Sequence, residues 1–235
     1  MLFRPLKMLI HGESGAGKTW LGDSAPYPRL TLDAEGGSDW TFSSKRLWDP
    51  VAEAPPVADG TWETCIVRVR NFNDVNRVYQ WLNSGQHQFA SVVFDSTTEV
   101  QKRCLDSITT SAPTQQNYGT LLRDMETTIR QFRDLTFHPV NPLKCLVLVT
   151  TTKADQQGVY RPHVIGQLAL SMPYLVDVVG FQFATADSAG EPAFNLLIRP
   201  TDRILAKDRT HRLTQRWGGV IQTPNVQTMM EVLNG

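Results

Sequence analysis

Gly12-Glu13-Ser14-Gly15-Ala16-Gly17-Lys18-Thr19 follows the apolar run Met8-Leu9-Ile10 and leads into Trp20-Leu21. The octapeptide satisfies G-x-x-x-x-G-K-[ST], the pattern of a loop that wraps a polyphosphate. Such a loop needs a strand to deliver it and a helix to carry the chain away, so that backbone N–H groups and the helix N-terminus face the anion together. Glycines let the backbone curl close to the phosphates, where a Cβ would clash or forbid the dihedrals. Lys18 is placed to reach the terminal phosphates, and the Thr19 hydroxyl to sit on Mg²⁺. The candidate binding set is Gly12 through Thr19 together with Trp20.

Outside the loop, the composition narrows the class. The chain has 235 residues, of which 41% are hydrophobic and 20% charged, with a formal net charge of zero. That suits one α/β domain with a sizeable core, read as residues 1–235. A neutral chain has no global basic field, so any contact with nucleic acid must be local. Cys65, Cys104 and Cys145 are far apart and form neither a zinc pattern nor a C-x-x-C pair, which fits a reduced cytoplasmic setting. No run is long enough to span a membrane, and no signal-peptide core is visible at the N-terminus.

Strand-like runs occur at 7–11, 29–33, 64–70, 91–95, 144–151, 177–186 and 193–199. Val92-Val93-Phe94 and Cys145 through Val149 are continuous apolar stretches, as expected for strands covered on both faces of a parallel sheet. Helical spacing links Val75, Val78, Tyr79 and Leu82, then Val100, Cys104, Leu105 and Ile108. The longest stripe is Leu121, Leu122, Met125, Ile129, Phe132 and Leu135. A last helix reads from Thr223 as N-cap, with Pro224 in its first turn. Alternation of strands and helices predicts a mainly parallel central sheet with helices on both faces. Residues 177–199, turning at Asp187-Ser188-Ala189-Gly190, predict an antiparallel extension at the C-terminal end. Three stretches read as long loops: 48–62, 109–117 and 153–167.

Two carboxylates complete the constellation. Ser91-Val92-Val93-Phe94-Asp95 ends a buried strand on Asp95, suited to the metal behind Thr19; the same residue would equally serve as N-cap of the following helix. Leu32-Asp33-Ala34-Glu35-Gly36-Gly37 ends a second strand, and Glu35 is placed to orient and deprotonate an attacking water. The Leu32–Glu35 run resembles the catalytic-glutamate strand of RecA-like recombinases, and Asp95 then matches that family's second-motif aspartate.

The resemblance spans the chain as an ordered set of motifs. It is similar to the short, core-only RecA-like P-loop ATPases of bacteriophages (the Sak-type, phage AAA-like group) associated with single-strand annealing and recombination. It implies ATP and Mg²⁺ as cofactors. It also implies single-stranded DNA as a partner, a homo-oligomer, and a phage recombination or single-strand-binding protein nearby. Thr150 or Thr151 would take the γ-phosphate sensor position, where the family usually has glutamine. Lys207 and Arg209, in Ala206-Lys207-Asp208-Arg209, resemble the basic pair that reaches a neighbour's γ-phosphate. A solvated basic turn shared with Arg203, Arg212 and Arg216 is the plainer reading. The family's DNA-contacting loops would fall at 109–117 and 153–167, the latter carrying Lys153, Tyr160, Arg161 and His163.

Two other readings stay open on the residues. Thr152-Lys153-Ala154-Asp155 fits the [NT]-K-x-D pattern by which GTPases read guanine, although Asp95-Ser96-Thr97-Thr98 lacks the glycine a GTPase needs after its second motif. A nucleotide-dependent loader with little turnover would keep the phosphate loop without using Glu35.

Overall fold

The computed structural model describes residues 3–235. In chain order the elements are β1 (Leu6–Gly12), α1 (Lys18–Asp23), β2 (Arg29–Asp33), β3 (Lys45–Leu47), β4 (Thr64–Arg68), α2 (Phe72–Leu82), β5 (Ser91–Asp95), α3 (Thr97–Ile108) and α4 (Gln115–Asp134). They continue with β6 (Cys145–Ala154), β7 (Tyr160–Pro162), α5 (Leu168–Leu175), β8 (Val178–Ala186), β9 (Pro192–Leu197), β10 (Lys207–Asp208), α6 (Arg212–Trp217), β11 (Val220–Gln222) and α7 (Val226–Asn234).

An 11-stranded sheet runs β11-β9-β8-β1-β6-β5-β2-β4-β3, with β10 beside β8 and β7 beside β6. From β8 to β3 the neighbours along this path are parallel, while β9 and β11 close it as antiparallel strands. The alternation of side chains divides the core in two. Leu6, Met8 and Ile10 pack with Leu21, Leu213 and Met229 on the face of α1, α6 and α7. Leu9, Leu32 and Leu148 pack with Val75, Val100, Met125 and Met172 on the face of α2 to α5. The predicted architecture is the observed one, and the three cysteines are buried and free.

Register fixes what the sheet can present. Gly12 faces Thr151 across β1–β6, and Asp33 faces Asp95 across β2–β5. The phosphate loop and both predicted carboxylate strands therefore end on one edge. At the other end of β1 lies a larger cavity, about 720 Å³, lined by Phe3, Arg4, Phe137 and Arg212 and by none of the predicted site residues.

Two boundaries differ from the sequence reading. The stretch 153–167 is not an open loop: β6 continues to Ala154 and pairs back with β7 as a hairpin. The final helix is capped by Asn225, whose side chain accepts from Thr228 N at 3.0 Å, and not by Thr223. Thr223 instead donates its N–H to the Phe194 carbonyl at 3.0 Å and is held at φ 47°, the left-handed region a β-branched residue resists. We expect Asn225→Ala to lower stability by about 1 kcal/mol, while Thr223→Gly raises it by up to about 1 kcal/mol. The shift of the urea midpoint at unchanged slope measures both.

Candidate active site

The loop from Gly12 to Thr19 is built on glycines where backbone geometry demands them. Gly15 and Gly17 hold φ of 78° and 82°, and a Cβ on Gly12 would lie 2.2 Å from the Gln182 carbonyl of neighbouring β8. Lys18 folds its ammonium onto the Glu13 carbonyl at 2.7 Å, across the mouth of the loop. Burial lowers its pKa, against the pull of Asp95, Glu35 and Glu13.

Asp33 is the staple of the second strand tip. Its buried carboxylate accepts from the N–H groups of Glu35 (3.1 Å), Gly36 (2.6 Å) and Ser38 (3.3 Å), and from Arg68. Gly36, at φ 82°, permits the sharp turn. The Ala34 N–H donates to the Asp95 carbonyl at 2.8 Å and ties the two tips together. This turn delivers Glu35, whose Oε1 accepts from the Ser96 hydroxyl. Ser96 also accepts from Glu99 N at 3.2 Å, so the cap of α3 is Ser96 and not Asp95.

That leaves the Asp95 carboxylate free to face Thr19. A Cβ added to Gly37 would meet Thr19 Oγ1 at 3.2 Å and Asp95 Oδ2 at 3.8 Å, so that glycine keeps open the space between hydroxyl and carboxylate. The two oxygens form a small hard-donor pair of the kind Mg²⁺ uses when phosphate and water supply its other ligands. Among the described residues no group of three or more His, Cys, Asp or Glu could hold a metal on its own. Burial, reinforced by the Asp33 and Glu35 carboxylates, pushes the Asp95 carboxyl up to about 6, with the Thr19 hydroxyl and Lys18 opposing.

Lys18, Thr19, Glu35, Asp95 and Ser96 meet around one cavity of about 350 Å³. Sequence reasoning missed several of its walls. Of the two candidate sensor threonines, Thr150 is buried and points its hydroxyl at the Ile10 carbonyl. Thr151 lines the cavity, and its hydroxyl lies 3.3 Å from His163 Nδ1. Gly37 lay inside the quoted Leu32–Gly37 run without a role of its own, Ser96 carried no site signal, and Phe194 arrives from a strand about 180 residues downstream of the loop.

Other predicted residues lie elsewhere. Lys207 pairs with Val179 at the start of β8, level with Leu9 and away from its own phosphate loop. Its ammonium donates to the carbonyls of Pro173 and Val176 (2.7 Å to the latter), closing the end of α5, and burial lowers its pKa to about 8. Arg209 bonds Asp177 at 3.3 Å and the Tyr174 carbonyl at 3.1 Å, with about half of its side chain exposed. Asp155 does not present a guanine-reading carboxylate. It accepts from Gln157 N and Val159 N, both at 2.9 Å, and from Arg161 Nε at 2.6 Å, as the turn of the β6–β7 hairpin.

A phosphate loop at the tip of a central parallel strand, with a carboxylate strand beyond the next one, defines a P-loop nucleotide-hydrolase fold. The sequence matches a family model described as an AAA domain over residues 4–210, and the chain belongs to that family. No curated protein matches it. Among solved structures, a prototypical ATPase from the type III secretion system of pathogenic bacteria aligns with a TM-score of 0.46 at 11% identity. The alignment covers 75% of this chain and 51% of that one, so this chain spans about half the length of that protein. No helix among the described residues is long and apolar enough to cross a membrane.

The Asp95 environment gives a pH dependence with a definite sign. Raised above its usual 3.8, the carboxyl costs the ligand-free protein stability as pH climbs from about 4 to 6. A metal held by Asp95 would need the carboxylate, so Mg-nucleotide affinity would then be flat above pH 7 and fall roughly tenfold per pH unit below about 6. Titration calorimetry from pH 5 to 8 measures this, and Asp95→Asn removes the dependence while weakening binding throughout.

Proposed function

We propose that this AAA-family domain binds Mg-ATP in the Gly12–Thr19 loop, hydrolyses it with Glu35 as base, and uses the cycle to grip and release single-stranded DNA. One observation carries the chemistry: Lys18, Thr19, Asp95 and Glu35, drawn from α1 and two strand tips, line the same cavity. Loop N–H groups hold the phosphates, and Lys18 leaves the Glu13 carbonyl for the terminal ones. Thr19 and Asp95 hold the Mg²⁺ that arrives with the nucleotide and neutralises charge on its phosphates. Glu35, fixed by the Ser96 hydroxyl, orients a water and takes its proton. Thr151 faces the end of the cavity where the terminal phosphate would lie and is tied back to His163.

The DNA reading is supported by the β6–β7 hairpin and its neighbours. Tyr160 stands 6.1 Å from Phe181, and Phe181 lies 6.1 Å from Phe183 with the two rings nearly parallel at 20°. This row of part-exposed rings, with exposed Lys153 and Arg203 nearby, has the composition of a stacking surface for bases. His163, by contrast, belongs to the nucleotide side through Thr151. A place in phage recombination or annealing, beside a single-strand-binding partner, follows from the family resemblance alone. If the site is completed in trans within a homo-oligomer, Arg209 is the better candidate, because Lys207 would first have to abandon two carbonyls.

Glu35→Gln is expected to keep ATP affinity near that of wild type and lower phosphate release at least tenfold. Wild-type turnover in that assay also separates an ATPase from a loader that merely binds. Independently, Tyr160→Ala combined with Phe181→Ala is expected to weaken binding of a labelled single-stranded oligonucleotide roughly tenfold or more. The slope of affinity against salt should barely change, since no phosphate contact is lost.

A further inference from the structure

Three aromatic rings stand in a row beside the phosphate loop: Phe42, Trp20 and Phe194. Trp20 lies 5.4 Å from Phe42 and 5.8 Å from Phe194, the latter pair edge to face at 78°. They come from distant parts of the chain. Trp20 follows Thr19 on α1, Phe42 sits in the loop before β3, and Phe194 comes from β9. Phe194 is seated so closely on the loop that a Cβ at Gly17 would lie 2.9 to 3.1 Å from three of its ring carbons. Trp20 remains 47% exposed and Phe42 88% exposed, an arrangement that leaves apolar ring surface in water.

Strand order gives this row a direction. In the sheet, β1 has β6, β5 and β2 on one side and β8 and β9 on the other. Thr151, Asp95 and Glu35, which would surround the terminal phosphate and metal, come from or just after the first group. Phe194 comes from the second, yet it lines the same cavity together with Trp20. A nucleotide laid along the loop with its terminal phosphate at the carboxylates therefore carries its base toward Phe194. The carboxylates and Thr151 come from the β6–β5–β2 side, and the edge-to-face aromatic pair offers apolar ring surface on the other. Stacking is the interaction such surfaces offer a base, and it favours the larger purine ring system.

We propose that Phe194 and Trp20 form the nucleobase platform of this site, holding a purine by stacking while the Gly12–Thr19 loop holds its phosphates. The inference rests on the nucleotide reading above, and the test separates the two. Full-length protein with Mg²⁺ is titrated with ATP, with CTP and with inorganic tripolyphosphate, which has no base. Wild type should bind ATP more tightly than CTP. Phe194→Ala should weaken ATP about tenfold, narrow the gap between ATP and CTP, and leave tripolyphosphate within twofold. Trp20→Ala, at a half-exposed position, should do the same and provides the answer if Phe194→Ala does not fold. Unchanged ATP affinity in the variants overturns the platform. So does equal loss for ATP and tripolyphosphate, which would make Phe194 a prop for Gly17. Failure of wild type to bind either ATP or tripolyphosphate removes the nucleotide reading itself, and the platform with it.

Discussion

Parallel register at one edge of the sheet is the constraint on which the site depends. Gly12 is held opposite Thr151, and Asp33 opposite Asp95, by backbone hydrogen bonds that run the length of buried strands. A slip of one residue would turn every side chain to the other face. Buried apolar faces above and below the sheet forbid that slip. The polar site is thus precise because the core beneath it is apolar and closely packed. The same register brings three carboxylates together: Asp33 and Asp95 are buried at the strand tips, and Glu35 stands exposed beside them. Asp33 is compensated by Arg68 and three N–H groups, and Glu35 accepts from Ser96. Asp95 has the least compensation, and burial pushes its carboxyl up.

β6 joins this site to the rest of the surface without a break. Thr151 lines the cavity, and the next three residues are paired in the hairpin with Tyr160, Arg161 and Pro162. The hairpin is clamped from the other side, since Tyr160 N donates to the Arg203 carbonyl and Leu205 N to the Tyr160 carbonyl. His11, one residue before the phosphate loop, completes the frame. Its Nε2 lies 2.7 Å from the Leu205 carbonyl and its Nδ1 lies 3.1 Å from the Thr152 hydroxyl. Burial lowers its pKa to about 4, so it works here as a neutral hydrogen-bonding group. A shift at Gly12 or Thr151 therefore has a short covalent and hydrogen-bonded route to the hairpin. It is a physical connection of the kind coupling requires.

What was legible in the sequence was what depends on local chemistry. The phosphate loop announces itself through glycines with left-handed backbone and a lysine at fixed spacing. The buried strands announce themselves through unbroken apolar runs, and Asp95 and Glu35 through their place at strand ends. What was illegible depended on partners far away along the chain. Thr223 has the right side chain for a cap, but its backbone is already committed to Phe194 of β9. Lys207 looks like a free cation until α5 brings two carbonyls to it. Asp155 matches a base-reading motif, yet its turn uses up the carboxylate. Ser96 took the cap role from Asp95 because a serine hydroxyl can both accept from Glu99 and donate to Glu35, while a carboxylate can only accept.

The charge of the cavity also bears on which ligand it can take. Lys18 faces the Asp95, Glu35 and Glu13 carboxylates, so negative groups crowd a loop whose shape suits a polyphosphate. A triphosphate would bring several further negative charges beside these carboxylates. Hydrogen bonds from loop N–H groups would offset part of that cost. A divalent cation held by Thr19 and Asp95, as proposed, would offset more of it. In this reading the metal would arrive as part of the ligand, with Thr19 and Asp95 as the protein groups that would hold it. That arrangement also makes the ionised form of Asp95 favourable once the cation is bound. The burial that penalises its charge in the free protein thereby becomes selective for the metal–nucleotide complex over either component alone.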